Sequence, residues 1–269
     1  MALGEADRIL TLYTIDSGKI RAVAKGVRRT KSRLGGHLEL LNRVSVSLGR
    51  GRDLDVVSEA QALQTYRLLR DDLERLSKAI YLAELVDTFS VERSSGYSVY
   101  ELLAEALGHL EETSNPDLLL RHFEVRLLDL SGYRPELHNC VECRAELEPA
   151  DHAFSCAAGG VRCPRCRGAS EDPLILISVN SMKVLRLLQR ERQPSRVSGL
   201  RVSARVAAET ERTLRTYIRY IVERELKSAE FMNLVTRGGN GGSFVSRRRR
   251  DGGRGTGDIG ERSGPGGRP

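Results

Sequence analysis

Hydrophobic and polar residues alternate along the first part of the chain in the manner of β-strands. The alternation is partial over residues 8–14 and clean over residues 19–25, where Ile20, Ala22 and Ala24 share one face. Residues 38–48 and 54–63 flank a polar, glycine-containing segment and predict a long hairpin. Four or five short strands within about 60 residues indicate a small barrel or a compact sheet, which we assign to residues 1–65.

From residue 66 onward, apolar residues recur every three or four positions, which is helical spacing. Asn115, Pro116 and Asp117 supply a capping side chain, a first-turn proline and an acid at the positive end of the helix dipole. The chain is therefore predicted to be an α+β multidomain protein with an all-helical second part. The helical domain is assigned to residues 66–139 and 171–236, with helices at 68–86, 99–110, 115–131, 178–190 and 203–228, and a cysteine-rich segment, residues 140–170, is inserted in it.

The composition changes abruptly at the C-terminal end. Twelve of the 26 glycines lie in the last 32 residues, together with four consecutive arginines and almost no apolar residues. Such a segment cannot offset its ordering entropy by burial, so residues 237–269 are predicted to be a disordered Arg/Gly-rich tail. Added electrostatic affinity for nucleic acid and a tolerated, solubilising extension are equally supported roles for it.

The net charge of +7 is unevenly distributed. Residues 1–52 carry +7, residues 53–236 carry −5 and the tail carries +5, so two basic ends flank an acidic middle. This asymmetry suggests a polyanion bound at the ends and a protein partner in the middle. The aromatic content of 5%, without tryptophan, argues against an aromatic enzyme pocket or a carbohydrate-binding platform. No apolar run is long enough to span a membrane, and the first residues do not resemble a signal peptide.

Two CxxC pairs give the strongest chemical signal. Cys140 and Cys143 form the first pair, and Cys163 and Cys166 form the second, with 19 residues between the pairs. Each pair bends the backbone into a knuckle that presents two thiolates, so two knuckles complete a tetrahedral sulfur site. One structural Zn²⁺ is favoured because it accepts four thiolates without redox chemistry, and a closed four-sulfur shell leaves no open catalytic position. Coincidental cysteine pairs and an iron–sulfur cluster are the less favoured alternatives.

Three further residues lie close enough in sequence to compete as ligands. Cys156 lacks a CxxC partner and is expected to be a free, half-buried thiol. His138 and His152 are expected to face solvent. Paired cysteines in a chain without a disulfide framework fit the reducing cytoplasm.

A basic stretch near the N-terminus is the second candidate site. Seven Lys and Arg residues fall within fifteen positions that contain no acid, and two more arginines lie at the predicted hairpin tip. A folded surface of this kind neutralises phosphates without selecting a base sequence. A solvated charged face is the alternative. The scarcity of aromatic side chains for base stacking indicates contact with the sugar-phosphate backbone. The candidate residues are Lys19, Arg21, Lys25, Arg28, Arg29, Lys31, Arg33, Arg50 and Arg52.

Catalytic signatures are absent from the sequence. It contains no Walker-type phosphate loop, no HExxH and no GxSxG motif. We therefore predict a protein that is not an enzyme and takes no small-molecule substrate. Glu84 on the first helix is expected to be a surface charge or a contact to a partner.

Several segments, in order along the chain, resemble the bacterial RecO family of recombination mediators. The resemblance extends over about residues 4–235 and includes the two CxxC pairs. It is carried by residues 4–9, Gly18-Lys19-Ile20, residues 23–29 with Ser32-Arg33, residues 81–85, Phe123-Glu124-x-Arg126-Leu127-Leu128, Gly132-Tyr133-x-Pro135 and Gly159-Gly160.

The resemblance implies an N-terminal OB-fold β-barrel, a helical domain and a zinc ribbon inserted in it. It implies a protein without catalytic turnover that binds single- and double-stranded DNA and anneals complementary strands. With RecR, such proteins help to load RecA on DNA coated by single-strand-binding protein (SSB), partly by contacting the SSB C-terminal tail. A cytoplasmic, nucleoid-associated location follows. The resemblance assigns DNA contact to Lys25, Arg28, Arg29, Lys31 and Arg33, and zinc ligation to Cys140, Cys143, Cys163 and Cys166.

The sequence departs from the family pattern in three places. Family members usually have about a dozen residues before Gly4 that form a first barrel strand. Either the start site of this sequence is misassigned and the strand lies upstream, or the barrel is open with an exposed edge. Arg144 stands where knuckle geometry prefers glycine, which predicts a strained but functional metal knuckle. The tail exceeds the family core. An RNA- or ribosome-associated protein is the alternative to a DNA-repair mediator, and a zinc-dependent enzyme is a third, weaker one.

Overall fold

The computed structural model describes residues 2–3, 5–169, 172–223 and 226–239. The predicted N-terminal strands are present as a five-stranded sheet, followed by helices into which a second, three-stranded sheet is inserted. The first sheet consists of β1 (Ala2–Leu3), β2 (Asp7–Thr14), β3 (Gly18–Ala24), β4 (Arg43–Gly49) and β5 (Asp55–Gln64).

The order of the strands in this sheet is β1-β2-β3-β5-β4, with β3 and β5 parallel and the other pairs antiparallel. Strict alternation in β3 buries Ile20, Ala22 and Ala24 and exposes Arg21, as predicted. Among the described residues, no pairing joins β1 to β4. The sheet is therefore open, and the closed OB barrel is not confirmed.

The predicted hairpin is present, but its first strand begins at Arg43 rather than at residue 38. Residues 34–42 form turns instead, because the backbone N–H of Leu38 donates to Leu34 O at 3.0 Å. The side chain of Asn42 donates to the carbonyls of Gly36 and His37. Leu38 is buried under the sheet with Ala22, Ala24, Val27 and Val57, and these residues form the small core of the N-terminal domain.

The helical domain has one large apolar core. Its longer helices contribute buried apolar side chains to this core, and the helix Pro116–Leu130 is buried on almost all sides. The helices are α1 (Arg67–Asp71), α2 (Leu73–Phe89), α3 (Tyr97–Glu112), α4 (Pro116–Leu130), α5 (Val179–Arg190), α6 (Ser195–Ser198), α7 (Ala204–Val222) and α8 (Lys227–Gly239).

The limits of α4 follow the sequence signals. Asn115 caps the helix by accepting from Leu118 N at 3.2 Å, and Pro116 occupies the first turn. Gly132 follows its end with a φ of 81°, in the left-handed region that glycine adopts without a steric penalty.

The last predicted helix, residues 203–228, is two helices. The chain leaves α7 at Glu223, whose φ is 53°, and α8 then packs against α2. The carboxylate of Glu84 on α2 accepts from the backbone N–H of Lys227 and of Ser228, at 3.1 and 2.8 Å. Glu84 therefore caps the start of α8. Its predicted role as a surface charge or partner contact is corrected to an internal one.

The inserted segment is a small sheet that packs on the helical core. It contains β6 (His152–Ser155), β7 (Gly160–Arg162) and β8 (Leu174–Ile177), in the order β7-β6-β8. The ring of Phe154 meets that of Tyr217 on α7 at a centroid distance of 5.2 Å. Because β8 pairs with β6, this ribbon extends to Ile177 instead of ending at residue 170.

The two domains meet along the turn between β2 and β3. A Cβ at Gly18 would collide with the carbonyl of Ser94, so this close approach requires glycine. The ammonium of Lys19 pairs with Asp87 at 2.7 Å, and Arg93 pairs with Asp55 at 3.0 Å across the same junction. No helix within the described residues is long and apolar enough to cross a membrane. The predicted tail lies outside those residues, apart from residues 237–239, which end α8.

Candidate metal centre and nucleic-acid interface

The four paired cysteines converge at one point. Their Sγ atoms all lie within 4.8 Å of one another, and those of Cys143 and Cys163 are 3.8 Å apart. A Zn–S bond of about 2.3 Å in a tetrahedron places neighbouring sulfurs about 3.8 Å apart. The donor set and its spacing therefore fit a metal ion bound by four thiolates.

Backbone amides prepare the inner side of this cluster for negative charge. The N–H of Cys163 donates to the Sγ of Cys140 at 3.3 Å. Burial raises the pKa of Cys140, but hydrogen bonds from the N–H groups of Cys163, Cys143 and Glu142 outweigh it and lower that pKa to about 6. The thiol of Cys166 donates to Cys163 and Cys143, which raises its pKa to about 12. A bound dication would displace the protons of these thiols.

Local turns build the two knuckles. Arg144 N donates to Cys140 O at 2.9 Å, and Cys166 N donates to Cys163 O at 3.0 Å. Arg144 has a φ of 61°, as the preference for glycine at this position predicts. At Gly160, a Cβ would lie 2.6 Å from Glu136 O, so only glycine allows the second knuckle to approach the segment before the first.

The other candidate ligands lie outside the cluster. Cys156 is buried rather than half-buried, burial raises its pKa, and it is not among the four converging sulfurs. His138 is exposed, as predicted. His152 is not: it is 3% exposed, and its Nε2 donates to Glu148 O at 2.8 Å, so the prediction of a solvent-facing side chain was wrong.

The basic stretch is a loop held firmly at its start. We call residues 25–33 the basic loop. The backbone N–H of Gly26 donates to Asp7 Oδ1 at 2.7 Å, Arg28 N donates to Ala6 O at 3.0 Å, and Val27 is buried in the small core. The five cationic side chains are exposed and form no ion pair with any residue that the structure describes: Lys25, Arg28, Arg29, Lys31 and Arg33.

The remaining four candidates divide into two groups. Arg21 is exposed on β3, and Arg50 and Arg52 are exposed at the turn between β4 and β5. Lys19 differs, because its side chain is 18% exposed and bound to Asp87 at the domain junction. Its charge is therefore matched within the protein, and it contributes to holding the sheet on α2.

Relatives of known name resemble this chain over most of its length. Residues 1–66 match the family described as Recombination protein O N terminal, and residues 70–230 match Recombination protein O C terminal. The chain belongs to the RecO family. It is 39% identical to the DNA repair protein RecO of Dehalococcoides mccartyi over 234 residues, 87% of this chain and 91% of the relative. It is 42% identical to that of a Roseiflexus species over 86% of this chain and 81% of the relative. Membership of the RecO family implies a role in DNA repair and recombination.

The structure also explains two RecO-like segments whose purpose the sequence does not reveal. Tyr81 on α2 donates its hydroxyl to Glu124 on α4 at 2.7 Å, and Arg121 pairs with the same carboxylate at 3.0 Å. Burial raises the pKa of Glu124, although Arg121 opposes it. These residues form a buried polar link inside the helical core. Helical periodicity alone gives no signal for it, because charged residues are ordinarily assigned to the surface.

Proposed function

We propose that the protein is a non-enzymatic DNA-binding and strand-annealing mediator of recombinational repair. The proposal rests on the basic loop of this RecO-family chain. Its five cationic side chains are exposed and have no ion-pair partner among the described residues, and its backbone is anchored to the sheet. An anchored loop loses little conformational entropy when phosphates bind, and each phosphate contact releases counterions.

The proposed platform is the N-terminal sheet, acting as a partly open OB-type barrel. Arg21 on β3 and Arg50 and Arg52 at the hairpin tip extend the cationic surface of the basic loop. Neutralising the phosphates of two strands lowers their mutual repulsion, so complementary bases can meet. Tyr66 is buried and Tyr13 lies against Gly96, so neither tyrosine supports base stacking, and the sugar-phosphate backbone is the proposed contact.

The metal in this proposal is one Zn²⁺, held by Cys140, Cys143, Cys163 and Cys166. It supplies a structural cross-link, and four thiolates leave no position for a reacting water. The ion would tie the two knuckles to the ribbon, whose Phe154 packs in the helical core. Its role is therefore to stabilise the helical domain.

The proposed partners follow from the RecO resemblance. They are single- and double-stranded DNA, RecR and the C-terminal tail of SSB, and their combined action would load RecA on SSB-coated single strands. A cytoplasmic, nucleoid-associated location completes the proposal. Family membership does not favour the alternative of an RNA- or ribosome-associated protein.

An annealing assay tests the proposal. Two complementary labelled oligonucleotides are mixed with the full chain, and their pairing is followed by fluorescence. We expect acceleration that weakens as salt is raised. The variant in which Arg28, Arg29 and Lys31 are all replaced by Ala, the basic-loop variant, should lose most of it. If this variant accelerates annealing as strongly as the wild type, the basic loop is not the DNA-binding site.

A further inference from the structure

The metal centre is buried on one side and open on the other. Cys140 and Cys163 are buried, whereas Cys166 is half-buried and Cys143 is exposed. Three arginines flank the two outer cysteines: Arg144 follows Cys143, and Arg165 and Arg167 stand on either side of Cys166. All three arginines are exposed. The knuckles thus present three guanidinium groups at the solvent-facing end of the ribbon, which we call the ribbon tip.

Convergence of the sulfurs brings these arginines together, although Arg144 and Arg165 are 21 positions apart in the sequence. The Sγ atoms lie within 4.8 Å of one another, and each arginine is next to one of the cysteines that supply them. With about 3.8 Å between successive Cα atoms, the arginine backbones are at most roughly 18 Å apart. Their long side chains can therefore contact neighbouring phosphates of one strand.

The side chains of the three arginines have no polar partner within the described part of the chain. None of the three arginines forms an ion pair or a side-chain hydrogen bond with a described residue. Two of the neighbouring acids, Glu142 and Asp172, instead face the buried Arg162, at 3.4 and 4.0 Å. Glu146, two residues after Arg144, is exposed and also forms no ion pair within the described part of the chain.

One of these arginines occupies a strained backbone position. Arg144 has a φ of 61°, in the left-handed region, where a residue other than glycine costs on the order of 1 kcal/mol. Glycine would close the knuckle without that cost. The turn alone therefore does not explain an arginine at this position.

We propose that the ribbon tip is a second binding surface for the phosphodiester backbone of DNA. This inference rests on the proposed DNA-binding function and adds a site to it. Arginine suits the role because its planar fork donates two parallel hydrogen bonds to a phosphate. A chain with one phosphate-binding surface on the basic loop and another on the ribbon tip can engage DNA at two separate places.

The test compares three full-length variants with the wild type. The ribbon-tip variant carries Arg144→Gly, Arg165→Ala and Arg167→Ala, where glycine preserves the left-handed turn. The helical control variant carries Arg192→Ala, Arg201→Ala and Arg205→Ala, three exposed arginines without ion pairs among the described residues. The basic-loop variant is the third. Binding of a fluorescein-labelled 30-nucleotide oligo-dT is measured by anisotropy over a series of salt concentrations, and zinc content is measured on the same samples.

We expect the ribbon-tip variant to keep its metal and to bind about tenfold more weakly at 0.1 M salt, with a logarithmic salt slope that is shallower by about 2, since each lost phosphate contact removes about 0.7. The helical control variant should behave like the wild type. If the ribbon-tip variant loses its metal, the single variant Arg165→Glu is tested in its place, because this change leaves both knuckle turns intact. Arg165→Glu should still weaken DNA binding several-fold.

The inference is wrong if the ribbon-tip variant keeps its metal and binds DNA with the affinity and salt slope of the wild type. It is also wrong if the Arg165→Glu variant keeps its metal and binds DNA as tightly as the wild type. The basic-loop variant separates this failure from failure of the proposed function. If only the basic-loop variant loses affinity, the basic loop is supported as a DNA-binding site and the ribbon tip is not. If only the ribbon-tip variant loses affinity, the ribbon tip is supported and the assignment of DNA binding to the basic loop is contradicted.

Discussion

Asp7 on β2 accepts a hydrogen bond from the backbone N–H of Gly26 through its Oδ1 atom, at 2.7 Å. Gly26 is the second residue of the basic loop and has a φ of 64°, so the chain turns sharply at this bond. An acidic side chain thus positions a cationic loop through the backbone while the cations themselves stay free of ion pairs to described residues.

Substitution of Asp7 tests whether this anchoring matters for binding. Asp7→Asn keeps the oxygen acceptor but removes the charge, and it should bind DNA at least as tightly as the wild type. Asp7→Ala removes the acceptor as well, which costs on the order of 1–2 kcal/mol of local stability. Since both variants lose the same charge, their comparison isolates the hydrogen bond. We expect Asp7→Ala to bind single-stranded DNA roughly three- to tenfold more weakly than Asp7→Asn by anisotropy. Equal affinities would show that the anchor does not contribute.

Replacing cysteines separately tests the metal ligands. Cys140→Ser should reduce bound zinc from about one ion per chain to a small fraction. Its Tm should fall by on the order of 10 °C, because a loss of a few kcal/mol shifts Tm by about 2–4 °C per kcal/mol at this size. Cys156→Ser, outside the sulfur cluster, is the matched control and should keep its zinc. A control that loses its metal while Cys140→Ser keeps it would disprove the ligand set.

His122 on α4 makes the stability of the helical domain dependent on pH. It is fully buried, Nε2 donates to Glu191 O at 2.9 Å, and Nδ1 has no hydrogen-bond partner among the described residues. Burial lowers its pKa below the ordinary 6.5, and Arg126 adds to this effect. The unfolded chain therefore takes up the proton first on acidification. The stability that neutral, buried His122 contributes is fully present above about pH 6.5 and is lost as the pH falls toward the lower folded-state pKa.

We expect the free energy of unfolding of the wild type, measured in urea, to decrease between pH 7 and pH 5. His122→Gln should be less stable at pH 7 but should lose less stability over that interval, since its side chain does not titrate. His138→Gln, at an exposed position before the first knuckle, is the control and should keep the wild-type pH dependence. An unchanged pH dependence in His122→Gln would contradict the assignment.

The sequence predicts features that depend on local pattern. Strict alternation identifies β3, and Asn115 with Gly132 sets the limits of α4, because both signals act within a few residues. The two CxxC pairs identify the sulfur cluster, since knuckle geometry is encoded in their spacing. Features that depend on distant partners were missed. β8 is defined by pairing with β6, Glu84 acts on a helix start 143 residues away, and the ion pair of Lys19 needs the position of α2.

The salt dependence of DNA binding by the wild type and the basic-loop variant shows whether the basic loop contacts phosphates. If the loop contacts phosphates, removing Arg28, Arg29 and Lys31 should weaken binding and make the logarithmic salt slope shallower by about 2 for single-stranded DNA. The helical control variant, which loses the same amount of charge, should keep the wild-type slope. A folded basic-loop variant with unchanged affinity and slope would contradict the account.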